Sequence, residues 1–450
     1  MQFDNKKIGD LMKQKLTFME ILPIGLMLFA SFFGAGNLIF PPALGQSAGV
    51  NFLPAAAGFC TTGVGIPLLG IIAIGLLRAS NPEALALPVH PKFAKALIVV
   101  TVLTIGPFFA IPRTGAVSFD VGILPFISAE NYDLGLALYS LFFFVVTYFL
   151  SVNPSKIVDW VGKILTPLLL ISIAILVVQV FMNPMGEPQQ AGGYYASMPY
   201  LKGFQEGYYT MDLLATMLFG TVVIDSIKVR GISEGSVLTR TCIMAGIIAA
   251  VLLAAIYVSL TYTGATSVSV FGVSDNGAIA LSSIANYYMG TAGNVVLCLM
   301  IFFACLTTSI GLTVSAGSYL EQVLKYKMQY QRIAAIICIF SFAVSNVGLT
   351  KIISLSVPVL CLLYPIVIVL VMMAFMPVKR ACVYRSTLAF TIVFAIIDGL
   401  NAAGVPMKTA EALFKDVIPF YSAGFGWFVP SIVGLVLGIL YSVAIKPGKN

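Results

Sequence analysis

An all-α polytopic membrane protein of about twelve transmembrane helices is the fold class this sequence predicts, and three observations predict it. The chain is 59% hydrophobic and only 10% charged, against the roughly 25% charged residues of a soluble domain. Apolar runs of about 20 residues, the length that crosses a hydrocarbon core of about 30 Å, recur from Ile21 to Val443 with short polar breaks. The runs lack the alternation of an outer-membrane strand, so in lipid their backbone is satisfied as helix.

The expected spans are 19–43, 51–77, 94–119, 134–151, 157–182, 207–229, 237–264, 291–324, 332–348, 352–376, 384–401 and 423–445. The third, eighth and tenth are long enough to bend or protrude. The chain then divides into a cytoplasmic segment 1–18, helices one to five over 19–182, an extracellular loop 183–206, helices six to ten over 207–376, and helices eleven and twelve with the C-terminus over 377–450. Segment 1–18 is polar and mixed in charge, unlike a cleaved signal peptide, so the first helix is expected to be retained.

An even number of spans puts both termini on one side, and loop charge selects the side. Of the 25 Lys and Arg residues, 20 sort to the side of the termini; the other side receives five, Arg113, Lys202, Lys351, Lys408 and Lys415. The positive-inside rule then predicts cytoplasmic termini. The net charge of +7 is spread over short loops rather than gathered on one surface, which argues against nucleic-acid binding. The seven cysteines are scattered with no C-x-x-C pair and read as free thiols. His90, the only histidine, falls in a Pro-flanked loop and reads as solvated.

Two spans carry interruptions. The first contains Phe29-Ala-Ser-Phe-Phe-Gly-Ala-Gly-Asn37, followed by Pro41 and Pro42. Glycine costs about 1 kcal/mol against alanine inside a helix, and an asparagine in lipid needs partners. The stretch is either a close helix crossing or an unwound segment whose amides and carbonyls line a cavity. The sixth span offers a weaker counterpart at Leu218-Phe-Gly-Thr-Val222, where Gly220 is either a packing residue or a second break. Spans one and six open two sets of five, and an odd number of crossings inverts the second set. Paired interruptions in inverted repeats point to a transporter's midplane site. In the eighth span Cys305-Leu-Thr-Thr-Ser309 places three hydroxyls in an apolar helix. They either bond back to carbonyls one turn earlier or offer neutral oxygens to a hard cation.

The stretch Phe29 to Leu44, the region Pro54 to Leu77 and the twelve-span layout, and Phe33-Gly-Ala-Gly-Asn-Leu-Ile-Phe-Pro-Pro42 above all, resemble the bacterial branched-chain amino acid:cation symporters of the BrnQ type over nearly the whole chain. That family belongs to the amino acid, polyamine and organocation superfamily. The resemblance implies a five-plus-five inverted repeat of the leucine-transporter fold with two extra helices, in a bacterial inner membrane, importing leucine, isoleucine or valine with sodium. By the same resemblance the amides of Ala35 and Gly36 bind the substrate carboxylate, a role that suits freed amides at a half-helix start where no arginine is at hand. Phe219, Gly220 and Thr221 take the amino group and side chain. Carbonyls of Ala30 and Phe33 with Cys305, Thr308 and Ser309 form one sodium site, and Asn37 with the Phe32 carbonyl serves a second sodium site or the substrate.

The remaining charges read as peripheral. Arg113 follows Gly106-Pro107 and Ile111-Pro112 in a segment its prolines should kink; an intramembrane charge is a functional candidate by default, and snorkelling to the outer interface is the simpler account. Asp120, Asp212 and Asp398 are expected near the outer interface and solvated. Asp225 pairs with Lys228 one turn on, or serves as an intracellular gate. A channel would show repeated filter residues, and an enzyme would need a nucleophile, base or metal set that one loop histidine and scattered carboxylates do not supply. The closer alternatives are a proton-driven carrier or one for another neutral amino acid on the same fold.

Overall fold

The computed structural model describes residues 17–77, 81–152, 166–229 and 235–444, all helical or irregular with no strand among them. Helix α1 (Phe18–Phe32) is opened by Thr17, whose N–H donates to the Glu20 carboxylate at 2.7 Å, and α2 (Ala35–Ala48) follows after a two-residue break. Next come α3 (Phe52–Cys60), a five-residue π turn Thr61–Gly65, and α4 (Ile66–Leu77). The third expected span is realised as α5 (Pro91–Leu103) and α6 (Ala110–Gly122) around a π segment, Thr104–Phe108. Gly106 there is non-helical (φ −87°, ψ −118°) and Pro107 has no N–H to give, so the expected kink is present and has its expected cause. His90 is exposed as expected and caps α5, its Nδ1 accepting from Lys92 N–H at 3.1 Å.

The chain continues with α7 (Tyr132–Val152), α8 (Thr166–Met182), α9 (Gly193–Ser197) and α10 (Pro199–Glu206). Then come α11 (Asp212–Val229), α12 (Gly235–Phe271) and α13 (Gly277–Val323). Gly290, at φ +58°, bends α13 into an outer arm and the long stretch expected as the eighth span. The final helices are α14 (Tyr330–Ser345), α15 (Leu349–Ala374), α16 (Ala381–Ala402), α17 (Lys408–Phe414) and α18 (Phe428–Ala444).

Among the described residues, seven helical stretches are long and apolar enough to cross a membrane, counting Ala35–Leu77 as one; Phe18–Phe32, Tyr330–Ser345 and Phe428–Ala444 are apolar but shorter. Leu138, Leu141, Phe142 and Phe149 on α7 and Leu440 and Val443 on α18 are exposed large hydrophobics. An apolar outside with polar residues inside is the arrangement lipid rewards. All seven cysteines are free thiols, as expected.

Packing ranks the helices. Every residue of α6 is buried, which makes it the central strut, and it packs mainly on α13. Helix α2 lies on α12 with backbone against backbone: a Cβ on Gly45 would collide with the Thr261 carbonyl, and one on Gly264 with the Pro42 carbonyl. The close crossing considered for the first span therefore exists, but beyond the break rather than at it. Helix α18 packs on α16 and α16 on α15, an outer layer bonded by Ser386 Oγ to the Gly434 carbonyl at 2.7 Å.

Four expectations about charge are corrected. Arg113, Asp120, Asp212 and Asp398 are buried, at 3%, 4%, 3% and 7% exposure. Asp120 accepts from the Tyr132 hydroxyl at 3.2 Å. Position along a span set the expectation, whereas helices packed alongside set the burial. The side chain of Asp225 and the residues 230–234 lie outside the described part, so the proposed pair or gate at Asp225 does too.

Candidate functional site

The site begins at the first break. Helix α1 closes with Phe33 N–H donating to the Phe29 carbonyl at 2.8 Å, and Phe33 and Gly34 are extended. Gly34 N–H does not continue the ladder to the Ala30 carbonyl; it donates to Asn37 Oδ1 at 3.1 Å. One side chain thus caps the start of α2 and leaves the Ala30 carbonyl without its helical donor. Ala35 and Gly36 form the first turn of α2, whose N–H groups have no intrahelical acceptor.

A second break faces the first, and it is not where the sequence placed it. Gly220 lies within continuous α11, where a Cβ would stand 2.6 Å from Ile74 Cδ1, so it is a packing contact with α4. The chain turns instead at Gly207–Thr210, a 3-10 turn, and at Met211, left-handed at φ +66°, before α11 starts at Asp212. Left-handed backbone is uncommon for a residue other than glycine, asparagine or aspartate.

Three side chains join the breaks. Asn37 Nδ2 donates to Asp212 Oδ2 at 2.7 Å and also contacts the Tyr257 hydroxyl, which itself donates to Asp212 Oδ2 at 3.2 Å. Arg113 reaches across from α6, with Nη1 donating to the Tyr209 carbonyl at 2.6 Å and Nη2 to the Thr210 carbonyl at 3.4 Å. Its Cζ lies 5.1 Å from the centre of the Phe40 ring, and a Cβ on Gly36 would stand 2.7 Å from Nη2.

Between these groups is a cavity of about 30 Å³, whose wall includes Phe32, Ala35, Gly36, Asn37, Phe219 and Thr308 of the predicted set, together with Arg113 and Asp212. Phe32 and Phe219 meet edge to face at 5.8 Å. Thr308 faces the break: a Cβ on Gly34 would stand 2.7 Å from its Oγ1, which donates back to the Ala304 carbonyl at 3.1 Å. Cys305 is fully buried, and Ser309 accepts from Thr147 of α7 at 3.3 Å. Phe33 stacks on Phe29 at 5.0 Å. Ala30, Phe33, Cys305, Ser309 and Gly220 do not line this cavity, and the side chain of Thr221 lies outside the described part. Among the described residues no group of three His, Cys, Asp or Glu is placed to hold a metal, so a cation here would meet carbonyls, hydroxyls and the single carboxylate of Asp212.

A family model described as "Branched-chain amino acid transport protein" matches residues 17–445. The chain belongs to that family. This is a family of transporters rather than enzymes. Among its relatives, the branched-chain amino acid permease BraB of Bacillus subtilis is 45% identical over 442 residues, covering 98% of this chain and 99% of the relative. BrnQ of Bacillus subtilis is 43% identical, covering 96% and 99%, and BrnQ of Escherichia coli K12 is 35% identical, covering 96% and 98%. Among solved structures, the nucleobase-cation-symport-1 transporter Mhp1 in a closed conformation superposes with a TM-score of 0.59 at 14% identity, covering 94% of this chain and 92% of that one. MhsT in complex with L-phenylalanine superposes at 0.58 and 16% identity, covering 93% and 98%. This family member therefore has the leucine-transporter fold that the sequence predicted.

Of the site residues Arg113, Asp212 and Tyr257, sequence reasoning missed the last two and weighed the first as a candidate while favouring an interfacial account. A signal was present for the first, since Arg113 stands inside the run 94–119 and an intramembrane charge is a functional candidate by default.

Proposed function

We propose that this transporter imports leucine, isoleucine and valine by alternating access, coupled to sodium. The observation that carries the reading is the small cavity at the meeting of two broken helices. Freed amides of Ala35 and Gly36 stand on one wall, Phe32 and Phe219 supply an apolar wall, and Thr308 lies against the break. Amides at a half-helix start suit a carboxylate, and the aromatic pair suits a branched aliphatic side chain. The curated relatives are branched-chain amino acid permeases, which supports the substrate class.

About 30 Å³ is room for one or two waters and not for an amino acid. Substrate entry therefore requires the break segments to part, and coupling requires ion and substrate to favour the same conformation. For the ion, the Ala30 carbonyl that lacks its helical donor and the Thr308 hydroxyl against Gly34 are neutral oxygens of the kind sodium takes, with Phe33, Cys305 and Ser309 in the neighbouring turns. With Arg113 buried, the loop count becomes 20 against the remaining four, which supports cytoplasmic termini. Proton coupling is the alternative, and the buried Asp212 carboxyl is the group that favours it.

Leucine uptake into liposomes holding the purified protein tests the reading. Replacing an inward sodium gradient by potassium should cut the initial rate at least about tenfold, since coupling factors of that order correspond to about 1.4 kcal/mol. Uptake indifferent to sodium and driven by a proton gradient would transfer coupling to Asp212. No uptake of any branched-chain amino acid would overturn the substrate assignment.

A further inference from the structure

Arg113 and Asp212 stand in an arrangement that the proposed amide site does not account for. Both are buried, both line the central cavity, and no ion pair within 4 Å is described between them. Opposite charges removed from water are drawn together strongly, and a pair held apart implies that other groups, or a ligand, complete them.

Each charge is incompletely satisfied. Guanidinium offers five N–H donors in a fork. In Arg113 one nitrogen makes a short bond to the Tyr209 carbonyl, a second makes a long one to Thr210, and Nε is buried with no partner. The group is fixed by the Phe40 ring beneath it and lies against Gly36, so its charge adds to the amides of the first turn of α2. Asp212 takes hydrogen bonds from Asn37 and Tyr257 on Oδ2, with the neutral Thr210 hydroxyl also in reach of the carboxylate, against about four lone-pair sites. None of these donors is charged, so the negative charge itself is uncompensated within hydrogen-bonding reach.

We infer that Arg113 and Asp212 are the two jaws of a zwitterion clamp: the guanidinium, with the amides of Ala35 and Gly36, takes the α-carboxylate, and the Asp212 carboxylate takes the α-ammonium. The ligand class is therefore an intact α-amino acid head group, and the inference rests on the reading of the protein as an amino acid carrier. A zwitterion placed in the gap supplies each jaw with its missing countercharge and leaves the cavity neutral. A ligand lacking either end leaves one buried charge uncompensated, which is the strongest form of rejection available to a site. Selectivity for the head group thus comes from these two side chains, while the apolar wall sets only the side-chain preference. Arginine also does here what lysine would not, because its planar fork matches a carboxylate.

Binding of three ligands to purified protein separates this from a structural role: leucine, leucinol, which lacks the carboxylate, and 4-methyl-2-oxopentanoate, which lacks the ammonium. In the wild type, leucinol and the oxo acid should each bind at least about 100-fold more weakly than leucine. Arg113→Gln should weaken leucine about 100-fold and leave leucinol within about threefold, so that variant and ligand deletion are non-additive. Asp212→Asn should do the same for the oxo acid. Equal losses for leucine and leucinol in Arg113→Gln, or wild-type affinity for leucinol matching that for leucine, would overturn the clamp while leaving the carrier reading intact. A wild-type protein that binds none of the three would overturn both. Should Arg113→Gln fail to yield monodisperse protein, Arg113→Lys, which keeps the charge and loses the planar fork, takes its place, and equal losses for leucine and leucinol there overturn the clamp.

Discussion

The two breaks that meet at the cavity are built from opposite materials. The first is made by Gly34 between an extended Phe33 and the capped turn of α2, and a side chain at Gly34 would strike Thr308. The second opens on Gly207 but has no glycine at its left-handed position. Met211 is held left-handed and 2% exposed, with Thr210 Oγ1 bonded to the Gly207 carbonyl at 3.0 Å beside it. One break is written into local backbone preference; the other is imposed on an unwilling residue by its surroundings, at a cost on the order of 1 kcal/mol. A break of the second kind is invisible to any reading that looks for helix breakers.

Asn37 is the point at which the comparison is most easily broken, because it serves both breaks at once. Asn37→Leu removes the acceptor for Gly34 N–H and a donor to Asp212. Uptake should fall at least about 100-fold, with stability lowered by about 2–4 kcal/mol for two stranded buried groups. Retained transport, measured as initial rate in liposomes, would mean the breaks are independent. Next in size is Met211. Met211→Val places a β-branched residue in left-handed backbone and should lower the melting midpoint of the detergent-solubilised protein by several degrees. Met211→Ala empties the same buried position as Met211→Gly but keeps the left-handed strain, so Met211→Gly should be the more stable of these two by about 1 kcal/mol. If the two substitutions behave alike, side-chain packing rather than backbone shape holds the second break. The smallest effect is expected at Gly220, where an added Cβ meets only the flexible end of Ile74. Gly220→Ala should change uptake less than about threefold, and a loss as deep as that of Asn37→Leu would return the functional break to the position the sequence suggested.

The sequence was legible where chemistry is local. Apolar runs gave the membrane class, the Gly34-Ala35-Gly36-Asn37 stretch gave the first break, and Gly106-Pro107 gave the kink in the third span. The hydroxyls of Cys305-Leu-Thr-Thr-Ser309 stood out in an apolar helix, and Thr308 is the one that lines the cavity. What escaped depends on neighbours remote in sequence. Asp212 and Asn37 are 175 residues apart and Asn37 and Tyr257 are 220 apart, so no window along the chain contains the contact. Asp120 and Arg113 were read as interfacial from depth in a span, and depth says nothing of which helices stand alongside. The amide site was likewise read as working without an arginine, because the α6 turn that brings Arg113 to Gly36 is a tertiary fact.

The glycine contacts of α2 bear on motion. Gly45 against Thr261 and Gly264 against Pro42 leave no side-chain layer between α2 and α12, so the two helices have nothing to slide on. Helix α12 has 37 residues, about 55 Å at 1.5 Å per residue. It behaves as a lever arm clamped near the breaks: tilting it by about 10° around its middle carries each end through about 5 Å. A tilt of that size, started by a small displacement at Asn37, would be read most easily as a change in distance between Val237 and the loops at its end of the helix.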